Sequence, residues 1–114
     1  MKALFWVGSS REDVRAFPED ARSIAGHNLR LVQQGLEPDD WKVLPSVGPG
    51  IHELRIRTRL EHRVFYVAKF SEGIYVLHAF QKTTQKIPRK DLDLARERYK
   101  EVVSSRREDP SSRR

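Results

Sequence analysis

Apolar residues recur along the chain with two different spacings, which divide it into strands and helices. An apolar, aromatic-rich run over residues 2–7 ends at Gly8 and predicts a first strand. A short helix is predicted up to Phe17. A second helix is predicted from Pro18, with apolar residues at helical spacing until Gly35 supplies a stop signal. Together these two segments predict a helical hairpin with one apolar stripe.

Three strands in close succession are predicted over residues 51–59, 63–70 and 74–80. The first alternates strictly, so one face joins the core while the other carries Glu53 and three arginines spaced about 7 Å apart. The other two are continuously apolar, which is typical of central strands. Before them, residues 37–50 hold three prolines and two glycines and predict a loop, with a short extended piece at 41–44.

After the third of these strands, Pro88 opens a last helix with one apolar side. This order predicts an α+β fold: a small, mainly antiparallel four-stranded sheet with an N-terminal helical hairpin and a C-terminal helix. We expect one domain over residues 1–103. The tail over residues 104–114 is rich in Ser and Arg, lacks periodicity and is expected to be a disordered basic segment.

Charge is distributed unevenly along the chain. The net charge is +6, from 22 Lys and Arg against 16 Asp and Glu; residues 1–50 carry −1 and residues 51–114 carry +7. A basic C-terminal half indicates an anionic partner, with nucleic acid first, although a merely Lys- and Arg-rich surface has the same composition.

Several classes of protein are disfavoured by the composition. The chain has no cysteine, so disulfides, thiolate metal sites and a cysteine nucleophile are excluded. No apolar run reaches the roughly 18 residues of a membrane span, and the N-terminus is too short and too soon charged for a signal peptide. We therefore expect a cytoplasmic protein with no membrane partner, no metal site and no small-molecule cofactor, since there is also no phosphate-cradling glycine loop.

The segment over residues 76–88, VLHAFQKTTQKIP, resembles the signature of the RelE/ParE toxin superfamily, and more narrowly its HigB-like, phage-derived branch. That branch typically ends its last strand with an apolar-His-x-Phe-x-Lys-Lys-Thr-Gln-Lys-x-Pro run. Upstream, residues 50–55 and 62–66 match the family's "Glu-Leu-Arg" and "Arg-apolar-aromatic-Tyr" strands. The similarity covers about residues 2–103, and Thr83 departs from it where many relatives carry a second lysine.

The resemblance implies the toxin of a type II toxin–antitoxin pair, with a RelE-like fold. Such toxins are ribosome-dependent endoribonucleases that cut messenger RNA in the ribosomal A site, and a helix-turn-helix antitoxin neutralises them. ParE-like relatives share the fold but act on DNA gyrase, so the fold alone leaves the target open. A non-catalytic, RNA-binding relic of a prophage toxin is a third alternative.

Metal-free RNA cleavage by 2′-hydroxyl attack needs cations around the phosphate, a base and an acid. The candidates for stabilising the transition-state charge are Arg55, Arg63 and Lys82, because adjacent antiparallel strands lie about 5 Å apart and bring such side chains together. The acid–base candidates are His62 and Glu53, and His52 and His78 are further candidates. A solvated charged sheet face, an ion-paired Glu53 and a core histidine at position 78 are the competing interpretations.

A wider set of polar and basic residues is predicted to bind RNA. These side chains can hydrogen-bond sugar or neutralise phosphate, and they lie on the arginine-bearing strand, in the segment after the last strand and at the start of the last helix. They are Arg57, Arg59, Thr83, Thr84, Gln85, Lys86, Arg89 and Lys90.

Overall fold

A computed structural model describes residues 1–108 and shows a small α+β fold. Five strands and three helices are present in this range. In chain order they are β1 (Ala3–Trp6), α1 (Ser10–Arg15), α2 (Glu19–Gln33), β2 (Trp41–Val43), β3 (Ile51–Arg57), β4 (Glu61–Val67), β5 (Gly73–Gln81) and α3 (Arg89–Glu108).

The strands form one mixed sheet in the order β1-β5-β4-β3-β2. Strands β2 to β5 form an antiparallel meander, and β1 pairs with β5 in parallel. The prediction of four strands is therefore wrong by one, because the short piece at 41–43 pairs with β3. The continuously apolar strands β4 and β5 are interior, as predicted.

The structure contains only part of the predicted helical hairpin. Helix α1 has six residues and α2 has 15, so the chain forms a short helix before a long one, not two arms of comparable length. Helix α3 extends to Glu108, which means that residues 104–108 are helical and not part of a disordered tail. The remainder of that predicted tail, residues 109–114, lies outside the described residues.

Helices cover both faces of the sheet, and each face has its own apolar core. We call the face under α1 and α2 the first face; its core includes Leu54, Ile56 and Val64. The second face lies under α3, where Phe65 and Leu77 are buried. None of the helices within residues 1–108 is long and apolar enough to span a lipid bilayer.

A β-bulge between β4 and β5 changes which side chains share a face. Phe65 lies opposite His78, but the next residue of β4, Tyr66, lies opposite Val76, so that Leu77 is skipped in the register. His78 therefore faces α3 with Phe80, although alternation predicted that it shared a face with Val76. It is a core histidine, buried against the first turn of α3.

A hydrogen bond between His78 and Asp91 connects β5 to α3. Their Nε2 and Oδ1 atoms are 2.7 Å apart and both side chains are buried. We expect Asp91→Ala to lower the free energy of unfolding by about 1–3 kcal/mol, because a buried polar partner is left unsatisfied. Asp93→Ala is the matched control on the same helix, since Asp93 is 59% exposed and its surface ion pair contributes less than about 1 kcal/mol. Urea unfolding measures both, and equal losses would contradict the assignment.

A second contact holds the far end of α3 to the β4–β5 turn. Hydrogen bonds from the Arg106 guanidinium lower the pKa of Glu72 from 4.5 to about 2. Because the folded-state pKa is lowered, ionised Glu72 stabilises the fold above about pH 4.5, and this contribution is lost as the pH falls toward 2. Comparing the unfolding of wild type and Glu72→Gln across this range should show a difference that shrinks with acid, whereas Glu101→Gln, at an exposed position, should show no such trend.

Candidate nucleic-acid interface

A basic groove opens on the second face of the sheet, beside the first turns of α3. Its volume is about 540 Å³. Strands β2, β3 and β4 and the segment after β5 contribute six cations to its lining: Lys42, Arg55, Arg57, Arg63, Lys82 and Lys86. Glu53 is the acidic residue among the lining residues that the structure describes. We call this surface the basic groove.

Strand alternation and register place these side chains together. Glu53, Arg55 and Arg57 occupy every second position of β3 and therefore point to the same face. On β4, Arg63 lies directly opposite Arg55, and Glu61 lies directly opposite Arg57. Two arginines facing each other across a strand pair repel, so the arrangement depends on the acids around them.

Arg63 forms the buried floor of the groove. Its side chain is only 4% exposed, and its guanidinium donates to Glu53 Oε2 at 2.9 Å, to Glu61 Oε1 at 2.9 Å and to the His62 carbonyl at 3.0 Å. The Glu53 side chain is 2% exposed. With its guanidinium so enclosed, Arg63 is placed to hold Glu53 and Glu61 rather than to contact a bound molecule.

The other oxygen of Glu53 is buried without a hydrogen-bond partner. This atom, Oε1, lies 3.8 Å from Lys42 Nζ, and the Lys42 side chain is 55% exposed. A buried carboxylate oxygen without a donor is costly, and a donor that enters the groove would relieve that cost. Glu53 is therefore both a structural anion and an acceptor held next to the groove.

Asp40 partly neutralises the arginines of β3. Its carboxylate lies 2.8 Å from Arg55 Nη2 and 3.6 Å from Arg57 Nε. The Arg55 side chain is 27% exposed and that of Arg57 is 56% exposed, so both remain accessible from the groove. Sequence reasoning missed Asp40, Glu61 and Lys42, because their roles depend on the pairing of β2 with β3 and on the β3–β4 register.

The segment after β5 forms one wall. The Lys82 backbone N–H donates to the Glu61 carbonyl at 2.8 Å, which fixes this segment against β4. Lys82 Nζ donates to the Gln85 carbonyl at 2.6 Å and Thr84 Oγ1 to the Lys86 carbonyl at 2.5 Å, which folds the segment into a compact loop. The predicted RNA-binding residues of this region are all exposed. Gln85 and Lys86 line the basic groove, whereas Thr83, Thr84, Arg89 and Lys90 do not.

Two further predicted residues, His62 and Arg59, also lie outside the basic groove. His62 points to the first face, where it packs on Phe17 with ring centroids 4.4 Å apart and its Nδ1 atom has no partner among the described residues. Burial lowers the pKa of His62 and outweighs the charge of Asp20, which acts to raise it. Arg59 lies in the β3–β4 turn beyond the end of β3 and borders a shallow depression with Pro18. Neither residue lines the basic groove.

The remaining histidine candidates are also outside the groove. His52 stacks on Trp41 with ring centroids 4.7 Å apart on the first face, and burial lowers its pKa. His78 is paired with Asp91 in the core. No histidine lines the basic groove within residues 1–108.

The arrangement is suited to binding a polyanion. Arg57 and Lys86 are exposed and Lys82 is half-buried, and all three present cations on one concave surface. Guanidinium groups bind phosphate through paired hydrogen bonds. Across residues 1–108, no group of three or more His, Cys, Asp or Glu side chains is placed to hold a metal ion. What the groove supplies is therefore positive charge around one buried carboxylate.

The buried pair at the floor predicts a distinctive stability pattern. Arg63→Ala should lower the free energy of unfolding by about 3–5 kcal/mol, because it removes the hydrogen-bond donor of the buried, charged Glu53 and leaves only the more distant Lys42 beside it. Arg57→Ala should cost less than about 1 kcal/mol, because that side chain is exposed. The double substitution Glu53→Met/Arg63→Met should recover much of the loss, and strictly additive losses in urea unfolding would contradict this coupling.

Comparison with known families shows what the chain is similar to. A family model described as Phage derived protein Gp49-like (DUF891) matches residues 12–100, a span that contains every residue of the basic groove. This family is associated with RelE-like toxins. No curated protein matches the chain.

Proposed function

The chain belongs to the Gp49-like family of phage-derived proteins, and from this membership we propose that it is the HigB-like toxin of a type II toxin–antitoxin pair and cleaves messenger RNA on the ribosome. The family fits a toxin-like role. The observation that carries the enzymatic proposal is the basic groove, in which cations from three strands and one loop surround a buried carboxylate with an unpartnered oxygen.

In this proposal the exposed cations bind the RNA backbone. Arg57, Lys82 and Lys86 neutralise phosphates next to the scissile bond, and the polar side chains of residues 83–85 contact sugar or phosphate. Arg55 donates to the non-bridging oxygens, where negative charge increases in the transition state. Arg63 acts as a positioning residue, because its guanidinium is already occupied by two carboxylates.

The reaction is a transesterification within the RNA. The 2′-oxygen bonds to the adjacent phosphorus while the bond from phosphorus to the 5′-oxygen breaks, leaving a 2′,3′-cyclic phosphate and a 5′-hydroxyl. Glu53 Oε1 takes the proton of the 2′-hydroxyl once Lys42 turns toward a phosphate, and Lys82 supplies a proton to the leaving oxygen. His62, which the sequence predicts as a candidate base, faces away from the groove and has no role in this reaction.

The partners in this proposal are the ribosome with its messenger RNA and a helix-turn-helix antitoxin. The protein would act in the cytoplasm, where translating ribosomes are found. No cofactor takes part in the proposed chemistry.

Inducible expression with primer extension on a translated message tests the proposal. Wild type should arrest growth and cut within codons only when the message is translated. Lys82→Ala, Arg55→Ala and Glu53→Gln should each reduce cleavage by about 100-fold or more, because each removes one preorganised group of the site. Arg59→Ala is the matched arginine control outside the groove and should cleave like wild type.

Other results of the expression experiment would support the alternative functions. Growth arrest with intact message would point to gyrase or another protein target, and would reject the nuclease. No arrest by a protein shown to be folded would indicate an inactive relic. Arg63→Ala is not used in this test, because loss of its fold and loss of its activity would look the same. Glu53→Gln alters the same buried pair, so its cleavage is compared with wild type only after urea unfolding has shown it to be folded.

A further inference from the structure

A second groove lies on the first face of the sheet, away from the basic groove. It runs between β1 and the two N-terminal helices, with a volume of about 340 Å³. Its floor is apolar, made by Leu4, Trp6, Val14 and Leu29, and four arginines surround it: Arg11, Arg15, Arg22 and Arg30. We call this surface the arginine-rimmed groove.

In the part of the chain that the structure describes, the four arginines have no acidic partner. Within residues 1–108, none of them has a carboxylate oxygen within 4.0 Å, and the one hydrogen bond that their guanidinium groups make runs from Arg22 Nη1 to the Arg15 carbonyl at 3.3 Å. Arg11 and Arg15 are one turn apart on α1, a spacing at which like charges repel. Around the basic groove, by contrast, Glu53, Glu61 and Asp40 offset the arginines. The four arginines on the first face are therefore available to pair with carboxylates of another molecule.

Gly26 leaves the backbone of α2 uncovered in the groove. It lies in the middle of α2, on the same stripe as Arg22 and Arg30, and is exposed in the groove. A glycine inside a helix is unfavourable relative to alanine, and a Cβ atom added here would meet nothing within 4 Å. The packing of this chain therefore does not require glycine at position 26. An unobstructed backbone at this point permits close approach of another chain.

We propose that the arginine-rimmed groove is the docking site for an acidic, amphipathic helix of a partner protein. Apolar side chains of that helix enter the floor, its backbone crosses at Gly26, and its carboxylates pair with the four arginines. A nucleic acid fits this groove less well, since three of the four floor side chains are aliphatic and only Trp6 offers a ring for base stacking.

The location of the groove has a functional consequence. It lies on the face of the sheet opposite to the basic groove, so both surfaces can be occupied at once. A partner bound here anchors or recruits the protein without covering Arg57 or Lys82. The inference therefore stands on the first face alone and does not rest on the proposed nuclease activity.

Fluorescence of Trp6 provides a local readout. The chain has two tryptophans, and Trp41→Phe leaves Trp6 as the sole reporter inside the groove. The probe is a capped helical peptide of about 18 residues with leucines at i, i+4 and i+7 and glutamates on the flanking positions. We expect a saturable change in Trp6 emission, at least about tenfold weaker when lysines replace the glutamates, because the arginine rim then repels the peptide.

Substitutions at Gly26 separate docking from folding. Gly26→Ala should raise the unfolding midpoint by about 4–8 °C, as expected for removing a helical glycine from a chain of this size. Gly26→Leu should weaken peptide binding at least about tenfold by filling the crossing point. His27→Leu, which adds the same side chain at a neighbouring exposed position that does not line the groove, should bind the peptide like the parent protein.

Charge reversal completes the test. Arg22→Glu/Arg30→Glu should abolish binding of the acidic peptide, whereas Lys90→Glu/Lys100→Glu, an equal change in net charge on α3, should not. The proposal is overturned if Trp6 does not respond at about millimolar peptide, if both charge-reversed proteins lose binding equally, or if Gly26→Leu binds normally. A tighter Trp6 response to a single-stranded oligonucleotide, or self-association that Gly26→Leu abolishes, would replace the acidic helix with another occupant.

Discussion

The ion pair between Arg63 and Glu53 is the constraint on which the basic groove depends. Both side chains are removed from water, at 4% and 2% exposure, and a charge buried in this way is tolerated only when it is paired and hydrogen-bonded. The bond crosses from β4 to β3 at the floor of the groove, and a further bond reaches Glu61 at the rim. A floor fixed by such a pair has little freedom to rearrange, so the exposed cations above it have defined positions.

The ion pair between Arg63 and Glu53 also explains why a groove lined by six cations is stable in the folded protein. Acids and bases alternate through the strands, so each buried or half-buried arginine has a carboxylate beside it. In spatial order the chain of contacts is Lys42, Glu53, Arg63, Glu61, Arg57, Asp40 and Arg55. The acids neutralise the inner members, while Arg57, Lys82 and Lys86 remain accessible at the edge. Positive charge is thus concentrated where a polyanion would enter, and the interior stays balanced.

Local patterns in the sequence account for much of this arrangement. Alternation in β3 correctly placed Glu53, Arg55 and Arg57 on one face, and unbroken apolar runs correctly placed β4 and β5 inside the sheet. Strand β2 was harder to recognise, because three residues between prolines carry too little periodicity. The acids that complete the groove are brought in by register, which alternation within a single strand cannot supply.

His62 and His78 show two ways in which local sequence patterns fail to place a side chain in a functional site. His62 is next to Arg63 in the chain, and for that reason alone it lies on the opposite face of β4. His78 shares the parity of Val76, but one skipped residue at the β-bulge turns it toward α3. In both cases the backbone of the strand determines which face of the sheet the side chain occupies, whatever the chemistry of that side chain. A sheet covered by helices on both faces therefore sorts adjacent polar residues into separate environments. Within residues 1–108, it leaves the basic groove without a histidine and with Glu53 as its buried carboxylate.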